Sequence, residues 1–374
     1  MKPLTFDITH EEKNCDARTG VLSLPRGIVE TPVFMPVGTQ ASVKTLEPSE
    51  IETVSEGLIL GNTYHLWLEP GDGIVKTHGG IGRFMKWPHA LLTDSGGYQV
   101  FSLSAQRTIK EEGVHFRHHK SGAPLFLSPE KSIEIQENLG ADIAMSFDEC
   151  PPFDADYAYM KESVERTSRW ARRGKDAHVK TDQALFGIVQ GGPHMDLRKR
   201  SLEDLVSIGF DGYAIGGLSV GETKEEMYRV LSKTTPLMPK DKPRCLMGVG
   251  TPEDFLAAVK RGVDMFDCVN PTRLARHGTA YTWAGRVNIS KRMHAESLGA
   301  LDPDCGCKVC TTYTRSYIRH LFKAGEQLAA RLITYHNLYF FKALMRAIRE
   351  AIKEDRFEAF EQDFLRAYQG SKGE

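Results

Sequence analysis

The sequence predicts a parallel (β/α)8 TIM barrel, and two observations predict it. The first is a series of eight short apolar runs, each ending in a polar or glycine-rich signature: 33–38 (VFMPVG), 57–62 (GLILGN), 90–97 (ALLTDSGG), 142–149 (DIAMSFDE), 184–192 (ALFGIVQGG), 212–218 (GYAIGGL), 244–250 (RCLMGVG) and 263–269 (VDMFDCV). Runs this continuous suit strands buried on both faces, as in a parallel sheet. The second is what lies between them. Segments such as SPEKSIEIQENLG, MDLRKRSLEDLVSIG, TKEEMYRVLSKTTPLM and TPEDFLAAVKRG start with capping residues and repeat apolar positions at three or four, and most end at glycine. They read as crossover helices, and strands alternating with helices point to a barrel, with a doubly wound open sheet as the alternative.

Three parts fall outside the repeat. The segment before residue 33 alternates weakly and contains Pro25 and Gly27, so it is expected to cap the barrel bottom as a small sheet. Residues 98–127 form a long polar insertion after the third strand. The cysteine-bearing stretch begins at Thr279, and a helix-rich segment closes the chain. The expected division is 1–278 for the cap and most of the barrel, 279–336 for a zinc-binding insert, and 337–374 for C-terminal helices that complete the barrel. No internal repeat or low-complexity tract is visible.

A chain of 374 residues with 41% hydrophobic content can bury a large core. No apolar run approaches the roughly 20 residues of a membrane helix, and the N-terminus lacks the apolar core of a signal peptide, so a cytoplasmic location is expected. The formal net charge of −1 means that any nucleic-acid contact must come from a local patch. Of seven cysteines, Cys305, Cys307 and Cys310 are too close for a disulfide framework but well spaced for a metal. On spacing alone, His320 and His336 compete to be the fourth ligand.

Barrels of this kind place their chemistry at the carboxyl ends of the strands. The polar residues there are Asp94, Asp148, Gln190, Gly217 and Asp267. A carboxylate closing a buried run is costly unless it is paired, hydrogen-bonded or used. One aspartate could be a helix cap; three on different strands would converge on one mouth and suit two-carboxylate chemistry at an anomeric carbon. The paired glycines of TDSGG, IVQGG and AIGGL let main-chain N–H groups approach a ligand closely, or simply make tight turns. Between Cys268 and Ala295 there is no Asp or Glu, while Arg273, Arg276, Arg286, Lys291 and Arg292 all occur. This is the candidate phosphate-binding stretch. The charges over 166–175 read instead as a solvated basic face.

Taken together, TDSGGYQVFSL, FDEC, GIVQGG, GGLSVGE, MGVGTPEDFLAAVKRGVDMFDCVNPTR and the Cys-x-Cys-x2-Cys…His cluster resemble the bacterial tRNA-guanine transglycosylase (queuine tRNA-ribosyltransferase) family. The resemblance implies that Asp267 is the nucleophile at C1′ of the target guanosine and Asp94 the general acid/base. It implies that Asp148 accepts from the N–H edge of the base, that Gln190 and the Gly217 main chain donate to its carbonyl, that Tyr98 and Met247 sandwich the ring, and that Ser95 lies in the same pocket. Cys150 and Val220 match the bacterial pattern, which implies the 7-aminomethyl-7-deazaguanine preQ1 as incoming base in exchange for guanine. The lack of a long C-terminal RNA-binding extension points away from the archaeal branch. The resemblance selects His336 to complete a structural Zn2+ site, with one ion per chain. It also implies a tRNA partner gripped at the anticodon loop, and a homodimer. Asn270, in CVNPTR, departs from the family pattern, where an apolar residue is expected.

Three other readings remain at this level. A retaining glycoside hydrolase would use paired carboxylates, but the four tryptophans avoid the strand ends. A non-catalytic RNA-binding partner would not need Asp94, Asp148, Gln190 and Asp267 together. Zinc-dependent hydrolysis would require a ligand set with an open position.

Overall fold

The computed structural model describes residues 2–103 and 107–370. Residues 104–106 of the expected insertion and the last four of the expected C-terminal segment lie outside the described residues. The chain opens with an antiparallel meander of β1 (Thr5–Glu11), β2 (Arg18–Leu24) and β3 (Gly27–Thr31). The barrel strands begin with β4 (Val33–Met35), β5 (Val37–Gly38), β6 (Leu58–Gly61) and β7 (Ala90–Thr93). An inserted antiparallel sheet follows: β8 (Arg107–Lys110), β9 (Gly113–Arg117) and β10 (Pro124–Leu127). The barrel resumes with β11 (Ile143–Met145), β12 (Ala184–Val189), β13 (Gly212–Ile215), β14 (Arg244–Leu246) and β15 (Met265–Asp267). A hairpin of β16 (Thr279–Thr282) and β17 (Gly285–Asn288) leads to the cysteine cluster.

Each predicted apolar run contains barrel strand, and the first is split in two. Pro36 has no N–H to give a ladder, so β4 stops there and β5 starts beyond it. β4 pairs in parallel with β15, and β5 pairs in parallel with β6. The Pro36 carbonyl still accepts from Leu60 N–H at 3.0 Å. The order β4-β15-β14-β13-β12-β11-β7-β6-β5 therefore closes into a ring through that one run, which excludes the open doubly wound sheet.

Side chains alternate across the strands with period two. Val33, Met35, Leu58, Leu60, Ala90, Leu92, Ile143, Met145, Phe186, Ala214 and Met265 fill the interior together with Leu22, Leu24 and Val29 of the meander. Phe34, Ile59, Leu91, Ala144, Leu185, Ile215, Leu246 and Phe266 face the helical layer. The meander thus plugs the amino end of the barrel. The predicted crossover helices appear at Pro129–Leu139, Met195–Ile208, Lys224–Thr234 and Pro252–Val259. Ser128, Thr223 and Thr251 cap three of them through their side chains.

The last layer is a 27-residue helix, Gln327–Lys353, followed by Phe357–Gly370. Phe341 of the long helix meets Phe34 at 5.0 Å and Phe255 at 5.3 Å between ring centroids, covering the seam where the first and last strands join. His336 lies within this helix, so the division expected at 336/337 falls inside one continuous element.

Two buried aspartates staple the amino end. Asp142 accepts from Leu91 N–H at 2.8 Å and from Arg26 Nε at 3.1 Å. Asp264, fully buried, accepts from Arg18 at 2.9 and 2.7 Å and from Arg244 N–H at 2.7 Å. Removing one partner of such a pair strands the other's charge. Asp264→Ala is expected to lower unfolding free energy by about 3–5 kcal/mol, measured by urea unfolding; a change under about 1 kcal/mol would contradict this account.

One sequence expectation is corrected here. Arg166 does not belong to a solvated face: it is buried, and its Nη1 lies 2.5 Å from Glu149 Oε2, with Glu162 on its other side. Glu149 follows β11 into the core and requires a counter-charge, which the 21-residue helix Tyr157–Ala177 brings in.

Candidate active site

The carboxyl ends of the strands open into a cavity of about 490 Å³. Its lining includes Asp94, Ser95, Tyr98, Asp148, Cys150, Gln190, Gly217, Val220, Met247 and Asp267, which are all the residues that the sequence reading placed in a pocket. A larger cleft of about 1000 Å³ lies at the amino end, around Arg26 and Asp142, and contains none of them.

Asp94 leaves β7 and is buried. Its Oδ2 accepts from Asn62 Nδ2 at 2.6 Å and Gln99 Nε2 at 2.8 Å, and its Oδ1 accepts from Thr63 N–H at 2.7 Å. Burial raises its pKa from the ordinary carboxylate value, and these three donors pull the other way. Asn62 and Gln99 went unnoticed as site residues. Asn62 carried a signal, since it is the polar residue that ends the second apolar run; Gln99 carried none beyond its nearness to Asp94.

Asp148 leaves β11 and is likewise buried. Ser95 Oγ donates to its Oδ1 at 2.8 Å, and Gln190 Nε2 donates to its Oδ2 at 2.7 Å. Burial pushes its pKa up to about 6; the Ser95 and Gln190 donors oppose that, and the charge of Asp94 adds to it. Gln190 Oε1 is buried with no hydrogen-bond partner among the described residues. Gly97 lets the TDSGG turn lie against this loop, because a Cβ there would come within 2.9 Å of Asp148 Oδ1.

Asp267 ends β15, where its Oδ1 accepts from Gly248 N–H at 3.3 Å. Burial pushes its pKa up to about 7, the Gly248 N–H opposing and the charge of Asp94 contributing. Asp94 therefore acts electrostatically on both other carboxylates, and the three share one mouth. They cannot all ionise easily, which is the condition for acid/base division of labour. Tyr98, 51% exposed, and the half-buried Met247 supply the apolar lining. The Cys150 thiol is pushed up to about 12 by burial, so it stays protonated. Val220 donates its N–H to Glu222 at 3.0 Å.

The basic residues divide. Arg273 borders the pocket, and Arg276 is on the same helix, Asn270–Arg276. Arg286 sits over the Tyr281 ring at 5.9 Å, and Lys291 and Arg292 lie at an exposed turn; none of these three lines the pocket. Asn270 lines the pocket edge, and its N–H reaches the Cys268 sulfur at 3.4 Å.

Cys305, Cys307, Cys310 and His336 form a second cluster, away from the pocket, with all ligand atoms within 4.8 Å of one another. The sulfurs lie 3.6, 3.6 and 3.3 Å from His336 Nδ1. Metal–sulfur bonds of about 2.3 Å and metal–nitrogen bonds of about 2.0 Å at tetrahedral angles require about 3.5 Å, so the donors fit one ion. His336 Nε2 is 2.7 Å from the Tyr281 carbonyl, which fixes that nitrogen as the N–H and leaves Nδ1 as a lone-pair donor. The competing His320 is exposed and outside the cluster.

Comparison with known proteins places these features in context. The model of the family described as queuine tRNA-ribosyltransferase matches residues 13–370. Proteins named queuine tRNA-ribosyltransferase are similar over nearly the whole chain. That of Halothermothrix orenii is 58% identical over 98% of both chains, and that of Caldanaerobacter subterraneus is 56% identical over 100% of both. That of Bacillus subtilis is 56% identical over 98% of this chain and 97% of its own.

Proposed function

Because the chain belongs to the queuine tRNA-ribosyltransferase family, we propose that it exchanges the wobble guanine of GUN-anticodon tRNAs for preQ1, by double displacement through a covalent ribosyl-Asp267 intermediate. It is a pentosyltransferase acting on tRNA. The observation that carries the mechanism is the convergence of three carboxylates from three different strands on one cavity, Asp94 and Asp148 buried and Asp267 half-buried.

The chemistry follows from their surroundings. An Oδ of Asp267 attacks C1′ of the flipped-out nucleoside as the bond from C1′ to the purine nitrogen breaks, with oxocarbenium character at the sugar. The electron pair passes to the purine, which leaves as neutral guanine after taking a proton from Asp94 or a water held by it. The incoming preQ1 loses the equivalent proton to Asp94 as its ring nitrogen attacks C1′ and releases the Asp267 carboxylate. Asp148 accepts from the N–H edge of the bound base. Gln190, whose amide already donates one hydrogen to Asp148, offers the other to the base's carbonyl oxygen beside the Gly217 N–H. Adenine would leave these buried groups unpaired, at about 1–3 kcal/mol for each neutral one. Tyr98 and Met247 hold the ring from either side and exclude the water that would otherwise hydrolyse the intermediate.

Arg273, which borders the pocket, and Arg276 on the same helix would meet the anticodon-loop backbone, with Arg286, Lys291 and Arg292 extending the basic stretch. The cysteine–histidine cluster would hold one Zn2+ in a structural role: four protein ligands would leave no open position, and none of the four lines the pocket. The protein works as a cytoplasmic homodimer.

The reading is tested by incubating the protein with labelled guanine and an unmodified tRNA carrying guanosine at the wobble position. Label is expected to enter the tRNA, preQ1 to compete for the site, and free ribose ends not to accumulate. Ribose ends without label would mean hydrolysis instead.

The pKa values set an expected pH profile. Asp148 and Asp267, raised to about 6 and about 7, are protonated in mild acid and become carboxylates as pH rises. Attack and base recognition both need the charged forms. The kcat/KM for guanine exchange is therefore expected to climb across these two values. A profile flat from pH 5 to pH 8 would remove Asp267 as nucleophile.

A further inference from the structure

The helix Met195–Ile208 sends Arg198 inward, where the guanidinium is completely buried with no carboxylate in ion-pair contact among the described residues. Its Nε donates to the Gly192 carbonyl at 2.7 Å, and Nη1 and Nη2 both donate to the Gly216 carbonyl at 3.2 Å. Burial lowers its pKa to about 10, so the group remains a cation at neutral pH. A buried charge held only by carbonyls is costly where an apolar side chain would pack as well.

We propose that Arg198 is a positioning residue, which by gripping the Gly216 carbonyl behind the pocket fixes the direction in which the Gly217 N–H is presented to the bound base. The inference rests on the reading that the pocket takes a guanine-like ring. In the trans peptide joining Gly216 to Gly217, the C=O and N–H point in opposite directions. Anchoring the oxygen on Arg198 turns the N–H the other way, toward the cavity that Gly217 lines. The nearby cation also polarises that peptide and makes its N–H a better donor.

The two glycine pairs fit this arrangement. Gly191 has φ +140°, and a Cβ there would lie 2.7 Å from Arg198 N and 2.8 Å from its Cγ. Gly217 has φ +64°, and a Cβ at Gly216 would lie 2.6 Å from Gln190 Nε2. The IVQGG and AIGGL turns thus leave room for an arginine behind them as well as for a ligand in front. Arg198 ties both turns together, and with them Gln190.

The experiment measures binding of free guanine, and of 2-aminopurine, which lacks the exocyclic carbonyl oxygen that the Gly217 N–H would meet. Calorimetry is run on the intact wild type, Arg198→Met and Arg198→Lys. Guanine binding is expected to weaken roughly tenfold in Arg198→Met, the worth of one good hydrogen bond, and 2-aminopurine binding less than about twofold. Arg198→Lys, which keeps the charge and one donor arm, should recover part of the loss. If Arg198→Met does not fold, the lysine variant carries the same comparison. Equal weakening for both bases, or unchanged guanine binding, overturns the inference while leaving the pocket reading intact. A wild type that binds both bases equally overturns that reading and the inference with it.

Discussion

Asp267→Asn is expected to lower incorporation of labelled guanine into tRNA by roughly ten-thousand-fold or more, because an amide of the same shape cannot form the ribosyl ester. The control is structural. The side chain is isosteric, and the one side-chain hydrogen bond of Asp267 among the described residues is accepted by Oδ1 from Gly248 N–H, a bond that an amide oxygen can also accept. The fold should persist, and its pH response identifies the lost group. A carboxyl with a higher pKa folded than unfolded takes up a proton on folding, so it costs stability once pH exceeds the unfolded value. For Asp267 that cost grows as pH rises from 3.8 toward about 7 and is fully present above it. Asparagine has no such cost. The variant should melt higher than the wild type at pH 8 and near it at pH 4, while wild type alone yields a tRNA–protein adduct on a denaturing gel. Exchange within tenfold of wild type would reassign the nucleophile.

Cys310→Ser or His336→Ala is expected to empty the metal site and loosen the C-terminal third of the chain. Structural zinc sites contribute folding energy directly, so losing a ligand should lower the melting temperature by on the order of 10 °C. His336 sits in mid-helix with Nε2 tied to Tyr281 of the hairpin β16–β17, and Asn337 beside it accepts from Tyr281 N–H at 2.9 Å. Loss of the ion should therefore free the hairpin and the cysteine loop together, seen as new protease cleavage after Thr279. Metal analysis should find one zinc per wild-type chain and less in the variants. If zinc were instead the catalyst of a hydrolysis, activity would vanish with melting temperature and protease resistance unchanged.

The barrel was legible because strands buried on two faces and helices with one apolar face leave opposite periodicities, and because nothing between residues 129 and 267 interrupts their alternation. Closure was not legible in the same way: the split at Pro36 turns one run into two strands that pair with different neighbours. The carboxylates were legible as unpaired charges at the ends of apolar runs. Their supports were harder to see. Gln99 lies in a helix after the TDSGG turn, and Arg198 lies in a helix that reads as an ordinary crossover. What each touches depends on three-dimensional packing, and neither leaves a periodic trace. Arg166 was misread for the same reason, since its counter-charge, Glu149, lies 17 residues away in the loop after β11.

The strand run at 33–38 is hydrogen-bonded to β15 and roofed by the helix Gln327–Lys353, so the first wall of the barrel is completed by segments made long after it. Growing from the ribosome, β4 has no partner on its outer side until residues 265–267 have emerged. Such long-range closure makes for slow folding with exposed strand edges in the interim. Synthesis of this protein should consequently depend on shielding by a holding chaperone, and truncation before residue 327 should give insoluble material, not a smaller working barrel.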